Sequence, residues 1–220
     1  MTPNIFNPYR YEVTSTAGRG VFCGGSGDSG RTDEMQYITI ATPADASDFG
    51  DLTVPTYRWA GTGGGTRGVM GGGRSPSNTN VIEYIDIATP ADSSDFGDLT
   101  TAVLAMGACS NGTRGLWGCG LAATITDVIA YITIDTLGDA LDFGDATQVR
   151  YGVAGLGGNG RGLFNGGYDD APIGTVATID FVTIDTTGNA SDFGDLTSPA
   201  YSPAGASDNV NRGIVAGGAR

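Results

Sequence analysis

The sequence predicts an all-β protein, a β-propeller of about five blades, and three observations support this prediction. No segment longer than ten residues has the apolar period of a helix, whereas short β-branched and aromatic runs are frequent. A glycine-rich segment centred on an Arg-Gly pair occurs five times, with arginine steps of 48, 47, 47 and 51 residues. A 17-residue segment occurs four times, as YITIATPADASDFGDLT (37–53), YIDIATPADSSDFGDLT (84–100), YITIDTLGDALDFGDAT (131–147) and FVTIDTTGNASDFGDLT (181–197).

Each repeat unit is expected to contain about four short antiparallel strands. A glycine or Asn-Gly turn, as at 63–65, 110–112 and 157–160, comes first because positive φ angles suit two-residue hairpin turns. The Arg-Gly segment follows as a strand, since its apolar run ends in glycines and fits a strand packed on both faces. YITI is the next strand, and DFGDL is the last, with Phe and Leu in the core and Asp in solvent. A solenoid is the second choice of architecture.

The chain is expected to form one repeat domain over residues 1–220, because units of this size depend on their neighbours for stability. The units fall roughly at 10–57, 58–104, 105–151 and 152–200, with a partial unit at 201–220. Five Arg-Gly segments against four DFGD segments predict one incomplete blade, closed by the N-terminus or by a neighbouring chain. The residues expected at this assembly edge are Asn4, Phe6, Tyr9, Tyr201 and Arg220.

The charged residues exclude several classes of function. The net charge is −13, all eleven basic residues are Arg, and the chain has no Lys and no His. An acidic chain is repelled by phosphate, so nucleic acid is not an expected partner, and no apolar stretch is long enough for membrane insertion. Without His or Lys there is no His-activated nucleophile, no His-ligated metal and no Schiff base. We therefore expect no enzymatic activity, no cofactor and no metal.

The repeated arginines are expected to clamp the fold rather than to catalyse, because a guanidinium can hold a DFGD carboxylate bidentately. Their presence in every unit favours this role over the alternative, a ring of arginines that lines a channel and binds an anion. The expected clamp residues are Arg19, Arg67, Arg114, Arg161 and Arg212 with Asp48, Asp95, Asp142 and Asp192.

Aspartates spaced by three, as at Asp45, Asp48 and Asp51, suit two roles. Oxygen-rich loops bind calcium, but this spacing lacks the alternating acids and the terminal Glu of an EF-hand. Turn capping, in which the carboxylate accepts backbone N–H bonds, is the preferred role.

The three cysteines do not form a disulfide framework, since their number is odd. In the expected hairpin Cys109 and Cys119 would lie roughly 16 Å apart, too far to bridge. Small buried thiols are the expected role.

The repeat is similar to the kelch repeat in the order of its residues. In TRGLWGCG…DVIAYITIDT…DFGDAT, the run 118–120 stands where that family has its double glycine. Tyr131 stands near the family's Tyr, and Phe143 stands where the family usually has Trp. The DFGDLT segment also resembles Gly-rich kelch-like repeats in tail and other structural proteins of marine tailed phages.

The resemblance implies a structural or adhesive phage virion component, such as a tail, fibre or capsid-surface protein, made in the host cytoplasm. Its partners would be other virion proteins or copies of itself, with a host-surface glycan as a further candidate. The alternative is a glycan-binding lectin with pockets between blades, where Trp59 could be a stacking platform. A kelch-type copper oxidase needs His ligands, and no unrepeated acidic pair stands out for a two-carboxylate glycosidase.

Overall fold

The structure is a computed structural model, and it describes residues 18–27, 30–170, 173–207 and 211–220. Within these ranges the regular elements are β-strands, and they include no helix that could cross a membrane. In chain order the strands are β1 (Arg19–Gly27), β2 (Gly30–Thr39), β3 (Ser47–Asp51), β4 (Ala60–Gly64), β5 (Arg67–Gly71), β6 (Val81–Asp86), β7 (Ser94–Asp98), β8 (Gly107–Ser110), β9 (Arg114–Leu121), β10 (Ile125–Thr133), β11 (Leu141–Asp145), β12 (Ala154–Gly158), β13 (Arg161–Asn165), β14 (Tyr168–Asp170), β15 (Ile173–Thr175), β16 (Thr178–Thr183), β17 (Ser191–Asp195), β18 (Ala204–Ser207) and β19 (Gly213–Ala216).

The strands form small antiparallel sheets in which chain neighbours are mostly sheet neighbours. β4–β5–β6–β7 and β8–β9–β10–β11 are four-stranded meanders. β12–β13–β16–β17 is a third four-stranded sheet, and the hairpin β14–β15 is inserted between its second and third strands. β1–β2–β3 has three strands, and β18–β19 has two. We call β3, β7, β11 and β17, which carry the DFGD segments, the outer strands.

The predicted β-propeller of about five blades is wrong. Only three of the described sheets have four strands, and none of them is closed. The sheets at the two ends of the described chain make no extensive contact with each other, so they do not close a ring. Small antiparallel sheets layered face to face are instead typical of β-sandwich and jelly-roll-like proteins. The repeat period predicts the size of a unit, but it leaves open how successive units are arranged.

Adjacent sheets approach closely because glycines lie on their contact faces. Trp117 of β9 packs on Gly71 of β5, and its Nε1–H donates to the Ala60 carbonyl at 2.8 Å. A Cβ on Gly118 would lie 2.7 Å from the ring of Phe164 in β13, so a larger residue would force these sheets apart. Part of the high glycine content therefore serves sheet packing.

The core lies between the sheets, where Trp117 and Phe164 are fully buried. Trp59, considered above as a stacking platform, is half-buried and packs against the cluster that contains Met35 and Met70. The phenyl rings of the first three outer strands are also buried. Each of these rings makes an edge-to-face contact with the aromatic residue of the adjacent strand, in the pairs Tyr37–Phe49, Tyr84–Phe96 and Tyr131–Phe143.

Candidate interaction edge

Each of the first three outer strands is covered by a loop of the next unit. We call this segment, between the third strand and the outer strand of a unit, the covering loop. In the second, third and fourth units it spans residues 87–93, 134–140 and 184–190. In the first unit the equivalent segment spans residues 40–46.

The covering loop makes the same hydrogen bonds at three places. The last Asp of an outer strand donates its backbone N–H to a side-chain oxygen of the next loop, and its carbonyl accepts a backbone N–H from the following loop residue. The side-chain bonds are Asp51 N to Asp92 Oδ1 (3.0 Å), Asp98 N to Asp139 Oδ1 (3.0 Å) and Asp145 N to Asn189 Oδ1 (3.1 Å). The backbone bonds are Ser93 N to Asp51 O (2.9 Å), Ala140 N to Asp98 O (2.7 Å) and Ala190 N to Asp145 O (2.7 Å).

The glycine of the DFGD segment is needed because the covering loop lies against it. Gly97 has φ +146°, and a Cβ there would come 2.5 Å from the Gly138 carbonyl oxygen. Gly50 and Gly144 face the next loop at the same distance. No side chain fits between an outer strand and its covering loop.

Three of the repeated arginines also join successive units, but their hydrogen-bond acceptors differ from the expected carboxylates. Arg67 Nη1 donates to the Ile134 carbonyl, and Arg114 Nη1 donates to the Ile184 carbonyl, both at 3.1 Å. Arg19 Nη1 donates in the same way to the carbonyls of residues 87 and 88. The guanidinium groups of these three arginines and of Arg161 also lie 4.6–4.8 Å from the centroid of an aromatic ring in the same sheet. For these three arginines the observed acceptors are therefore backbone carbonyls and not the expected DFGD carboxylates.

The four aspartates of the expected clamp are all exposed: Asp48, Asp95, Asp142 and Asp192. Asp48 Oδ1 accepts the N–H of Gly50 at 3.3 Å, and Asp192 Oδ1 accepts that of Gly194 at 3.1 Å. These are local bonds two residues along the chain, as the turn-capping interpretation predicts. Among the described residues, no group of three or more acidic or Cys side chains is placed to hold a metal ion.

The fourth outer strand, β17, has no covering loop among the described residues. Phe193 is 51% exposed, whereas Phe49, Phe96 and Phe143 are 2–3% exposed. A Cβ on Gly194 would meet no atom within 4 Å, in contrast to the three glycines equivalent to it. Arg161 lies 4.6 Å from the centroid of the Phe181 ring, and no carbonyl of a further described unit accepts a hydrogen bond from it.

A groove of about 610 Å³ runs beside this edge, between the sheet of β17 and the β18–β19 pair. We call it the end groove. The β18–β19 pair forms one wall because it packs on β12, where Gly205 lies against the Gly155 backbone. The residues that line the end groove include Arg161, Leu163, Ile179, Phe193, Arg212 and Val215.

The residues of the expected assembly edge are only partly described. Asn4, Phe6 and Tyr9 lie outside the described residues. Tyr201 is half-buried in a cluster with Tyr151 and Tyr168, with ring centroids 5.4–6.0 Å apart. Arg220 is exposed at the end of the chain.

Sequence reasoning missed a buried ion pair. Arg150 Nη2 donates to Asp180 Oδ2 at 2.8 Å, and both side chains are fully buried. Asp180 also accepts the hydroxyl and backbone N–H of Thr147. Arg150 Nε and Nη1 have no hydrogen-bond partner among the described residues. Comparison of the repeats could have indicated this pair, because Arg150 is the one charged residue at a position where the other units have Thr56, Val103 and Ala200.

The three cysteines are free thiols in the described structure. Burial raises the pKa of Cys109 to about 12, and burial is also the main cause that raises the pKa of Cys119 and Cys23 to about 12. At neutral pH they are therefore protonated and poorly nucleophilic.

Comparison with known proteins gives a likeness of fold only. No family model matches the chain, and no curated protein matches it. A solved structure described as "Structure of YjhT" superposes with a TM-score of 0.68 over 85% of this chain and 70% of that chain. The sequence identity is 10%, so the likeness concerns the fold and carries no activity over to this chain.

Proposed function

We propose that this chain is a non-enzymatic structural or adhesive component of a phage virion, in a tail, a fibre or the capsid surface. The observation that carries the assembly role is the open β17 edge, where a surface covered in three other units is exposed. Exposed strand edges with unpaired backbone groups favour pairing with another chain. The virion setting is supported by the resemblance of the DFGD repeats to Gly-rich repeats of phage structural proteins.

The side-chain chemistry also supports a role without catalysis. The chain has neither His nor Lys, and its thiols are held protonated by burial. The repeated arginines and aspartates are engaged in contacts between and within units. These contacts give the residues concerned a structural role.

The lectin alternative is less well supported. Grooves near Trp59 and Trp117, in the second and third units, hold only about 20 and 30 Å³, which is room for one water and not for a sugar ring. The end groove is large enough, but it lies at one end of the described part of the chain.

Proteomics of purified phage particles from the source of the sequence tests the proposal. We expect peptides of this chain in the particle fraction at a fixed ratio to the major capsid protein. Recovery only in the soluble lysate, or turnover of glycoside, ester or phosphate substrates by the purified chain, would contradict it.

A further inference from the structure

We propose that the end groove is a docking site for a two-stranded polypeptide segment of a partner protein, which completes the β18–β19 sheet and covers β17. This inference rests on the proposed assembly function and names the surface and the partner chemistry. Three internal interfaces show which groups such a surface binds.

The last described sheet has two strands, two fewer than the four-stranded sheets. β18 and β19 pair as β12 and β13 do, with Gly205 opposite Val215 where the fourth unit has Gly155 opposite Phe164. In the fourth unit β13 continues to β16 and β17, whereas β19 has no second strand neighbour among the described residues. In the repeat, β19 corresponds to β1 of the first unit, so the last described unit lacks the pair of strands that corresponds to β2 and β3. The occupant is therefore a strand pair.

The first strand of the occupant would pair with β19. In the fourth unit Leu163 of β13 lies opposite Phe181 of β16. The position equivalent to Leu163 is Ile214, which is 51% exposed. An aromatic residue in the occupant would cover Ile214, and strand addition of this kind gains affinity from main-chain hydrogen bonds.

The loop of the occupant would then cover β17. Its first carbonyl would accept the hydrogen bond of Arg161, as the Ile184 carbonyl accepts that of Arg114. A carboxylate or amide side chain would accept the N–H of Asp195, as Asn189 does for Asp145. The partner is therefore recognised by an aromatic strand, an Asp or Asn in the loop, and small residues that pass over Gly194.

A fluorescent peptide with the sequence YIDIATPADSSDFGD, which is residues 84–98 of this chain, is the probe. We expect saturable binding to the full chain, measured by fluorescence anisotropy. Phe193→Ser and Arg161→Gln should each weaken binding at least tenfold, and both side chains are exposed enough for the fold to persist. Asp45→Ala, at the opposite end of the chain, is the matched control and should leave binding unchanged. A probe with Ala at the position of Asp92 should bind at least tenfold more weakly.

Four outcomes would overturn the proposal. No saturation up to about 1 mM probe means that the groove does not bind such segments. Displacement of the probe by a synthetic peptide of residues 1–17 assigns the groove to the chain itself. If the chain forms concentration-dependent dimers and the probe dissociates them, the groove binds a second copy of the chain. Binding of oligosaccharides at Phe193, with no binding of the probe, assigns it to a glycan. Because these assays use purified protein, their result is independent of whether the chain is found in particles.

Discussion

The backbone N–H of Asp98 donates a hydrogen bond to Oδ1 of Asp139 at 3.0 Å, which joins the outer strand of one sheet to the covering loop of the next. Two acidic residues meet here because one contributes its backbone donor and the other its carboxylate. Asp51 and Asp92 repeat the arrangement 47 residues earlier. A carboxylate thus satisfies a donor that would otherwise remain unpaired at a sheet edge.

Alanine at Gly97 should destabilise the protein more than alanine at Gly194. Both glycines have positive φ angles, +146° and +133°, so each substitution strains the backbone by roughly 1–3 kcal/mol. Only Gly97 faces a covering loop, and overpacking there should add about 1–3 kcal/mol. Urea unfolding of Gly97→Ala and Gly194→Ala measures the difference, and equal losses would show that the covering loop is not tightly packed.

Arg114→Ala should lower the free energy of unfolding by about 1.5–3 kcal/mol, since a charged donor to the Ile184 carbonyl is lost. Arg161→Ala is the control because it loses a ring contact at an exposed position, worth about 0.5–1 kcal/mol. Denaturant titration of the two variants gives the comparison. A larger loss for Arg161→Ala would contradict the arginine–carbonyl role.

Asp180→Ala should cost about 3–5 kcal/mol, because it leaves the Arg150 guanidinium buried without its counter-ion. The chain itself suggests a rescue: at the preceding interface the equivalent residues are Ala130 and Val103. The double variant Arg150→Val/Asp180→Ala should therefore recover most of the loss in a double-mutant cycle. Additive losses would mean that the two side chains are not energetically coupled.

Iodoacetamide should fail to label Cys109 and Cys119 in the folded protein at pH 8 but label them in urea. Burial raises the pKa of Cys109 to about 12 from 9.0, so the folded state retains a proton that the unfolded chain releases. This contribution to stability is full below about pH 9 and is lost as the pH rises toward 12. Mass spectrometry of the labelled protein is the measurement, and rapid labelling of the folded chain would contradict burial.

The sequence allowed the strands to be predicted better than their arrangement. Aromatic residues equivalent to Tyr84 and Phe96 recur at the same positions of each repeated segment, and this predicted repeated strands. Strand propensity depends on local features such as β-branched and aromatic side chains, so the sequence alone reveals it. The closed ring was wrong because closure depends on how the end sheets meet, which no local pattern records. The acceptors of Arg67 and Arg114 were also missed, because backbone carbonyls are present in every sequence and leave no signal.

The count of five Arg-Gly segments against four DFGD segments predicted an incomplete last unit with an assembly edge, and this stays a prediction. The sequence placed it at residues such as Tyr201, which proves to be half-buried in a tyrosine cluster. Phe193 lies in the same DFGD sequence as its three buried equivalents. Only the structure shows that no described residue covers it.

Amide hydrogen exchange of Asp98, Asp145 and Asp195, resolved by NMR, tests most directly whether covering loops protect the outer strands and leave β17 open. The amides of Asp98 and Asp145 donate to the next unit, whereas that of Asp195 has no acceptor among the described residues. We expect the Asp195 amide to exchange at least about tenfold faster, since each 1.4 kcal/mol of local opening energy corresponds to one factor of ten. Equal protection at all three positions would show that β17 is already covered, and would contradict the open edge.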